Sequence, residues 1–268
     1  MRFAKDTPVK IVMLGAGGTG GHIAPHLYRL LYALDRPVRF IIVDGDIVEE
    51  KNLVRQNFTH ADLGENKARV LAERYSSVFG LETEYIPSFI EDRDTLLGLV
   101  TPMVWKKNAY YVSSSEFVNG TLQTSPNSMI TELVILIGAV DNNRSRALCH
   151  SVFGEIKTNL VYIDSGNGEY TGQVVCGVRK SGRTIYKPVG GIYPDVLEKT
   201  DKFPTELSCA EASVSAPQSM VANIMAASAV VNFVYNILAL GTINVRYVNF
   251  STNTINLKPA PTKAKKSA

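Results

Sequence analysis

The sequence is poor in cysteine and tryptophan, and it has no long uninterrupted apolar run. Its three cysteines, Cys149, Cys176 and Cys209, stand far apart and form no Cys-x-x-Cys pair. That spacing argues against both a disulfide framework and a four-cysteine zinc site, so we expect no zinc. The most apolar stretch, 220–240, is interrupted by asparagines, and we expect no membrane-spanning segment. No signal-peptide pattern precedes the first apolar run, which predicts a cytoplasmic location.

The sequence also lacks a strong excess of charge. The formal net charge is +3, from 28 Lys and Arg against 25 Asp and Glu. Four of the lysines lie in the tail 258–268, so the remaining chain has a net charge of about −1. This balance predicts no nucleic-acid partner. We expect residues 1–257 to form a single domain, and the tail, rich in Lys, Ala and Pro, to be disordered.

In the first half, short β-branched runs alternate with amphipathic helical patterns. This alternation is typical of a parallel sheet with crossover helices. We therefore predict an α/β fold with a Rossmann-like, doubly wound and mostly parallel sheet. The predicted strands are 9–14, 39–44, 82–86, 132–139 and 160–164, and the predicted helices are 23–34, 66–79 and 143–153.

The pattern changes twice along the chain. Residues 105–128 are polar and too long for an ordinary connection, which predicts an insertion or a lid. Beyond Gly166 the pattern indicates an antiparallel extension. It would contain a strand at 172–179, a long helix at 218–240 and a closing hairpin of 246–250 with 254–257.

A glycine cluster follows the first predicted strand. Gly15, Gly17, Gly18 and Gly20 open the next helix, an arrangement that places backbone N–H groups and a helix N-terminus against a phosphate. No Lys-Ser/Thr pair follows, so the loop is not a Walker A motif. Asp44, at the end of the next strand, is placed to hold a ribose hydroxyl. The loop indicates a nucleotide without choosing between ATP and NAD.

Basic residues farther along favour a polyphosphate. Arg55 and Lys67 follow Asp44 at positions that suit gripping several phosphate charges, whereas a dehydrogenase has no use for them. An NAD-dependent oxidoreductase therefore remains the weaker alternative. A catalytically inactive nucleotide-binding scaffold is the other alternative. The intact set of Asp44, Arg55, Lys67 and Asp141 argues against it.

The motifs together resemble one family. GAGGTG is followed by DGDIVEEKNLVRQ from Asp44, by GENKA around Lys67, by DNNRSR from Asp141 and by SCAEA around Cys209. This chain of motifs is similar to the ThiF/MoeB and ubiquitin-activating-enzyme superfamily over roughly residues 8–257. The combination of YIDSGN, GQVV and SCAEA…Q…N also looks like ThiF-type proteins of bacterial mobile-element operons.

The resemblance implies an ATP- and Mg²⁺-dependent adenylyltransferase, acting as a homodimer. Its carboxylate substrate would be the C-terminal glycine of a small ubiquitin-like protein. Residues 1–166 would bind the nucleotide and 167–257 the acyl substrate or partner. Asp141 would ligate Mg²⁺, and Asp46 would be a second polar contact or a cap. The other implied contacts to ATP come from the glycine loop, Asp44, Asn52, Arg55, Gln56, Lys67 and Asn142.

Two residues keep open interpretations. In some relatives a cysteine at the place of Cys209 accepts the activated acyl group, but a free cysteine is usually a small buried hydrophobe. Arg146 either contacts ligand or only anchors its helix. We expect Cys149 and Cys176 to be buried packing residues.

Overall fold

The structure is a computed structural model. It describes residues 1–34, 36–106, 117–118, 121–122, 129–198, 201–207 and 218–261. In these parts of the chain, nine strands form one sheet and two further strand pairs form small sheets. Helices cover both faces of the large sheet. The α/β class predicted from the sequence is confirmed.

The first half of the chain supplies the parallel part of the sheet. In order, its elements are β1 (Val9–Leu14), α1 (Gly18–Tyr32), β2 (Val38–Val43), α2 (Lys67–Phe79), β3 (Thr83–Ile86), α3 (Arg93–Val100), β4 (Val104–Lys106), β5 (Phe117–Val118), β6 (Thr121–Leu122), β7 (Met129–Thr131), β8 (Leu133–Gly138), α4 (Asn143–Glu155) and β9 (Leu160–Asn167). The second half adds β10 (Thr171–Lys180), β11 (Arg183–Tyr186), α5 (Met220–Leu238), β12 (Val245–Ser251) and β13 (Asn256–Pro261).

The strand order places a crevice beside β1. The path through the large sheet is β13-β12-β10-β9-β8-β1-β2-β3, with β11 paired to β10. From β9 to β3 the neighbours are parallel, whereas β10, β12 and β13 continue the sheet antiparallel. The chain order reverses between β1 and β8. Ligands of open α/β sheets bind outside the carboxyl ends of the strands at such a point.

Side chains of β1 alternate between two cores. Ile11 and Met13 pack with α1, α2 and α5 on one face, and Val12 and Leu14 pack with α3 and α4 on the other. Both faces are apolar because crossover helices bury both sides of a parallel sheet. This double burial explains why every residue of β1 except Lys10 is apolar.

Helix α5 is a packed core helix. Its length and hydropathy would allow a membrane crossing, but 56% of its most apolar 18-residue stretch is buried inside the fold. It lies against α1, β9 and β10. Packing on α1 carries the N-terminal end of α5 to the glycine loop, which matters for the site.

The structure corrects two predictions. Helix α1 begins at Gly18 rather than at 23, so Gly18 and Gly20 lie in its first turn. Strand β13 runs to Pro261 because it pairs with β12, so 258–261 are not part of a disordered tail. Strands β4 and β7 pair with each other on either side of the predicted insertion. Most of the insertion lies outside the described residues, and its role as a lid stays a prediction.

Candidate nucleotide-binding site

A cavity of about 360 Å³ opens at the carboxyl ends of β1, β2, β8 and β9. Most of the site residues predicted from the sequence line it. They are Gly15, Gly17, Gly18, Asp44, Asp46, Arg55, Gln56, Lys67, Asp141 and Asn142. These residues come from five separate chain segments, and the sheet brings them together because its parallel strands end at one edge.

The glycine loop is shaped by close backbone approach. Gly15 has φ +94°, and a Cβ there would lie 2.4 Å from the Ala139 carbonyl oxygen. At Gly20 a Cβ would lie 2.0 Å from the Gly15 carbonyl oxygen, so Gly20 packs α1 against the loop. Helix α1 begins without a side-chain cap and without an acidic residue in its first turn. Its free N–H groups and positive end are open to an anion.

A proline inside α1 helps to place Arg55. Pro25 has no N–H to donate to the Gly21 carbonyl oxygen, and the Asn57 Nδ2 donates to that oxygen instead at 3.1 Å. This bond holds the Arg55–Asn57 segment against the helix. The Arg55 Nη1 then donates to the Gln218 Oε1 at 2.8 Å, beside the first turn of α1.

Asp44 is a buried carboxylate at the end of β2. Its side chain accepts hydrogen bonds from the backbone N–H groups of Ala16 at 2.6 Å and Asp46 at 2.8 Å. The residue is only 7% exposed. Burial raises the pKa of Asp44 to about 6, against the opposing attraction of the Lys67 ammonium group. The hydrogen bond from Ala16 to Asp44 fixes the glycine loop to the end of β2.

Lys67 is positioned by the residue before it. Asn66 caps α2 through its Oδ1, and its Nδ2 donates to the carbonyl oxygens of Asp44 at 2.8 Å and Asp46 at 3.0 Å. Lys67 is the first residue of α2 and is 5% exposed, and its Nζ lies 2.9 Å from the Asp46 Oδ2. Asp46 therefore pairs with Lys67, and its predicted contact with the nucleotide stays a prediction.

Asp141 and Asn142 follow β8 on the other side of the cavity. The Asn142 Oδ1 accepts from the Ser145 N–H at 2.8 Å and caps α4. The Asp141 carboxylate is exposed and has no hydrogen bond or ion pair to any residue in the described ranges. Those ranges also contain no cluster of three metal-ligating side chains. One free carboxylate still fits Mg²⁺, which usually takes one or two carboxylates together with phosphate oxygens and water.

Arg146 anchors the start of α4. Its Nη2 donates to the carbonyl oxygens of Val140 at 2.6 Å and Ser165 at 3.3 Å, and its Nε lies 3.5 Å from the Asp164 Oδ2. Burial raises the pKa of Asp164, whose other oxygen accepts from the Tyr162 hydroxyl at 2.8 Å. This buried group joins β8, β9 and α4 beneath the cavity, as the anchoring interpretation of Arg146 requires.

The segment 201–207 borders the cavity mouth. The Asp201 Oδ2 accepts from the Asn143 N–H at 2.7 Å, the Arg144 guanidinium lies 4.9 Å from the Phe203 ring centre, and Pro204 lines the cavity. Cys209 follows this segment but lies outside the described residues. The other two cysteines are buried, and burial raises the pKa of Cys149 to about 12 and that of Cys176 higher still.

Several buried polar atoms around the cavity have no partner among the described residues. They are Gln56 Oε1, Ser165 Oγ and Asn223 Nδ2. An unpaired buried polar atom costs roughly 1–3 kcal/mol, so such a concentration at one place points to a polar ligand. The cavity therefore fits a nucleotide.

Two predicted contacts differ from the rest. Gly20 and Asn52 are not among the residues that line the cavity. The Asn52 Oδ1 accepts from the Glu49 N–H at 2.9 Å, and this capping bond shapes the turn before Arg55. The structure also adds Phe89 to the cavity lining, a residue that no motif contains. Asn167, Gln173 and Gln218 line the cavity as well, although the segments that contain them gave them no role.

Fold and cavity together define a Rossmann-like nucleotide-binding protein whose cavity is lined by the basic residues Arg55 and Lys67. Comparison with protein families then places the chain. The profile of the ThiF family matches residues 5–268, and the protein belongs to that family. No curated protein sequence matches the chain.

Solved structures share the fold. PaaA is 16% identical with a TM-score of 0.59, over 95% of this chain and 64% of that one. Escherichia coli MccB with AMPCPP and MccA is 14% identical with a TM-score of 0.58, over 97% of this chain and 66% of that one. MccB with ATP is 15% identical with a TM-score of 0.56, over 98% and 66%. The chain thus spans slightly less than two thirds of these proteins, and at such identities the likeness concerns the fold alone.

Proposed function

We propose that the protein is an ATP-dependent adenylyltransferase that converts a carboxylate into an acyl-AMP with release of pyrophosphate. One observation carries the proposal. Two cations, Arg55 and Lys67, and one free carboxylate, Asp141, surround the open N-terminus of α1 in a single cavity. A hydride-transfer site would need no such set of charges, whereas a triphosphate needs its charge neutralised during reaction at phosphorus.

The proposed reaction needs no general base. A C-terminal carboxylate has an ordinary pKa of roughly 3.3–3.7 and is ionised at neutral pH. Its oxygen attacks the α-phosphorus, a new P–O bond forms, and the bond to the bridging oxygen breaks with its electron pair leaving on pyrophosphate. Catalysis then consists of positioning and of charge neutralisation.

Each residue would have a limited task in that reaction. Asp44 would accept a ribose hydroxyl, because its fixed carboxylate lies beside the loop. Arg55 and Lys67 would bind the phosphates. Asp141 would hold Mg²⁺, which when bound neutralises part of the phosphate charge. Arg146 would act on the site only by fixing the loop that carries Asp141.

The acyl substrate that we propose is the C-terminal glycine of a small ubiquitin-like protein. The family and the cavity support a carboxylate at the end of a small protein or peptide, and MccB has been solved together with MccA. Cys209 would accept the acyl group, because it follows the segment that borders the cavity mouth. We further propose a cytoplasmic homodimer.

Calorimetric titration tests the nucleotide part of the proposal. Mg·ATP should bind the wild-type protein far more tightly than NAD, and Lys67→Met should weaken ATP by tenfold or more through loss of a buried cation. Lys51→Met is the matched control, since Lys51 is exposed, pairs with Glu49 and lies outside the cavity lining. Tighter binding of NAD than of ATP would refute the proposal.

A further inference from the structure

Asn223 is a buried amide on α5 that is fixed in one orientation. It is 0% exposed, although the chemistry of its side chain favours contact with water. Its Oδ1 accepts from the Asn167 Nδ2 at 2.9 Å and from the Thr19 hydroxyl at 3.5 Å. The Thr19 hydroxyl also lies 3.0 Å from the Asn167 Oδ1, so the three side chains form a small network. Because the acceptor side of the amide is occupied, its donor side faces away from the network.

The donor side faces the glycine loop. A Cβ at Gly18 would lie 2.3 Å from the Asn223 Nδ2 and 2.9 Å from the Arg55 Nη1. Within the described residues, the Nδ2 has no hydrogen-bond acceptor at all. An unsatisfied buried N–H₂ group costs roughly 1–3 kcal/mol, and a packing role alone would not require it. An apolar side chain could fill the same space without that cost.

The surroundings of this nitrogen are donors and positive charge. Gly18 is the first residue of α1, whose N-terminus has neither a side-chain cap nor an acidic residue in its first turn. Arg55 uses its Nη1 on Gln218, which leaves other guanidinium donors for a ligand. A helix N-terminus, a guanidinium group and a free amide donor converge on one point, and the group that satisfies all three is an anion.

We infer that Asn223 is a phosphate-binding residue, whose Nδ2 donates to an oxygen of the nucleotide triphosphate at the N-terminus of α1. Thr19 and Asn167 hold the amide in the orientation that presents this donor. The inference rests on the proposed ATP-dependent function. It adds to that function a contact from α5, so the phosphate site is completed by the second half of the chain.

The test separates phosphate binding from packing by comparing two ligands. Calorimetry with Mg·AMPPNP and with adenosine should show that Asn223→Ala weakens AMPPNP by about tenfold, equivalent to about 1.4 kcal/mol, and leaves adenosine within twofold. Asn236→Ala is the matched control on the same helix, 13 residues farther along α5, where the amide bonds to Asn232 among the described residues. It should leave both ligands unchanged.

The other outcomes overturn the inference in distinguishable ways. An unchanged AMPPNP affinity, or an equal loss for both ligands, would make Asn223 a packing residue while the proposed function stands. A wild-type protein that does not bind AMPPNP would overturn both. If Asn223→Ala fails to fold, the wild-type crystal structure with Mg·AMPPNP decides. A phosphate oxygen within about 3.5 Å of the Nδ2 supports the inference, and a separation beyond about 5 Å overturns it.

Discussion

A methyl group at Gly18 would disturb the phosphate site at its centre. The added Cβ would lie 2.3 Å from the Asn223 Nδ2, 2.8 Å from its Cγ and 2.9 Å from the Arg55 Nη1, whereas ordinary contacts begin at 3.4 Å. Gly18→Ala therefore forces the Asn223 amide away by about 1 Å and the Arg55 guanidinium by about 0.5 Å. Moving Asn223 also stretches its bonds to Asn167 and Thr19, which are 2.9 and 3.5 Å long.

We expect Gly18→Ala to cost stability and nucleotide affinity together. Overpacking of this kind costs about 1–3 kcal/mol, and each kcal/mol lowers Tm by about 2–4 °C in a domain of this size. Since two phosphate-binding donors move, the affinity for Mg·AMPPNP should fall by more than about tenfold. Thermal unfolding and calorimetry measure the two effects.

Gly154→Ala is the matched control for that substitution. Gly154 lies in α4, and a Cβ there would have no atom within 4 Å. The change should raise stability by roughly 0.5–1 kcal/mol, because alanine loses less backbone entropy in a helix, and it should leave affinity unchanged. A Gly18→Ala protein with the Tm and AMPPNP affinity of the wild type would refute our account of the loop.

Three further substitutions test separate parts of the site. Asp141→Asn should lower ATP–pyrophosphate exchange by about 10²-fold, or roughly 2.7 kcal/mol, and a rate within threefold of wild type would make Asp141 structural. Cys209→Ser should keep exchange but abolish any thiol-sensitive adduct on a non-reducing gel, and a matching loss of exchange and Tm would indicate packing. Asp44→Asn should gain stability relative to wild type, by up to about 3 kcal/mol, as pH rises from about 4 to above 6. Ionising the wild-type carboxyl, whose pKa burial raises from 3.8 to about 6, opposes folding. Urea unfolding of both proteins at several pH values measures this difference, and a difference that does not change with pH would disprove the prediction.

Local sequence patterns predicted the bounds of those helices and strands whose formation depends mainly on their own residues. Strand β1 has the predicted bounds because five of its six residues are apolar and suit burial on both faces, while the sixth, Lys10, is buried in an ion pair with Glu132. The start of α1 could not be predicted in this way. The four glycines from Gly17 to Gly21 have a low helix propensity. Contacts with the Gly15 carbonyl oxygen and with Asn57 therefore determine where α1 begins.

The residues of the site likewise divide into those that a local motif predicts and those that depend on distant contacts. Asp44, Arg55, Lys67 and Asp141 were predicted because each lies in a recognisable motif, and the sheet brings all four to one cavity. Asn223 stands in the segment SCAEA…Q…N but received no role, because its partners, Thr19 and Asn167, lie 204 and 56 residues away and no local pattern encodes such pairs. The predicted phosphate contact of Asn52 stays a prediction. In the structure, its Oδ1 caps a turn.

ATP–pyrophosphate exchange is the most direct measurement of carboxylate adenylation. The assay would compare synthetic peptides that end in Gly-Gly with a free carboxylate against the same peptides with a C-terminal amide. Our account predicts exchange that requires Mg²⁺, depends on the free carboxylate and falls by 10²-fold or more in Lys67→Met, because only an ionised carboxylate can attack the α-phosphorus. Exchange that is equally fast with the amidated peptides, or ATP turnover that yields ADP and phosphate instead of AMP and pyrophosphate, would contradict it.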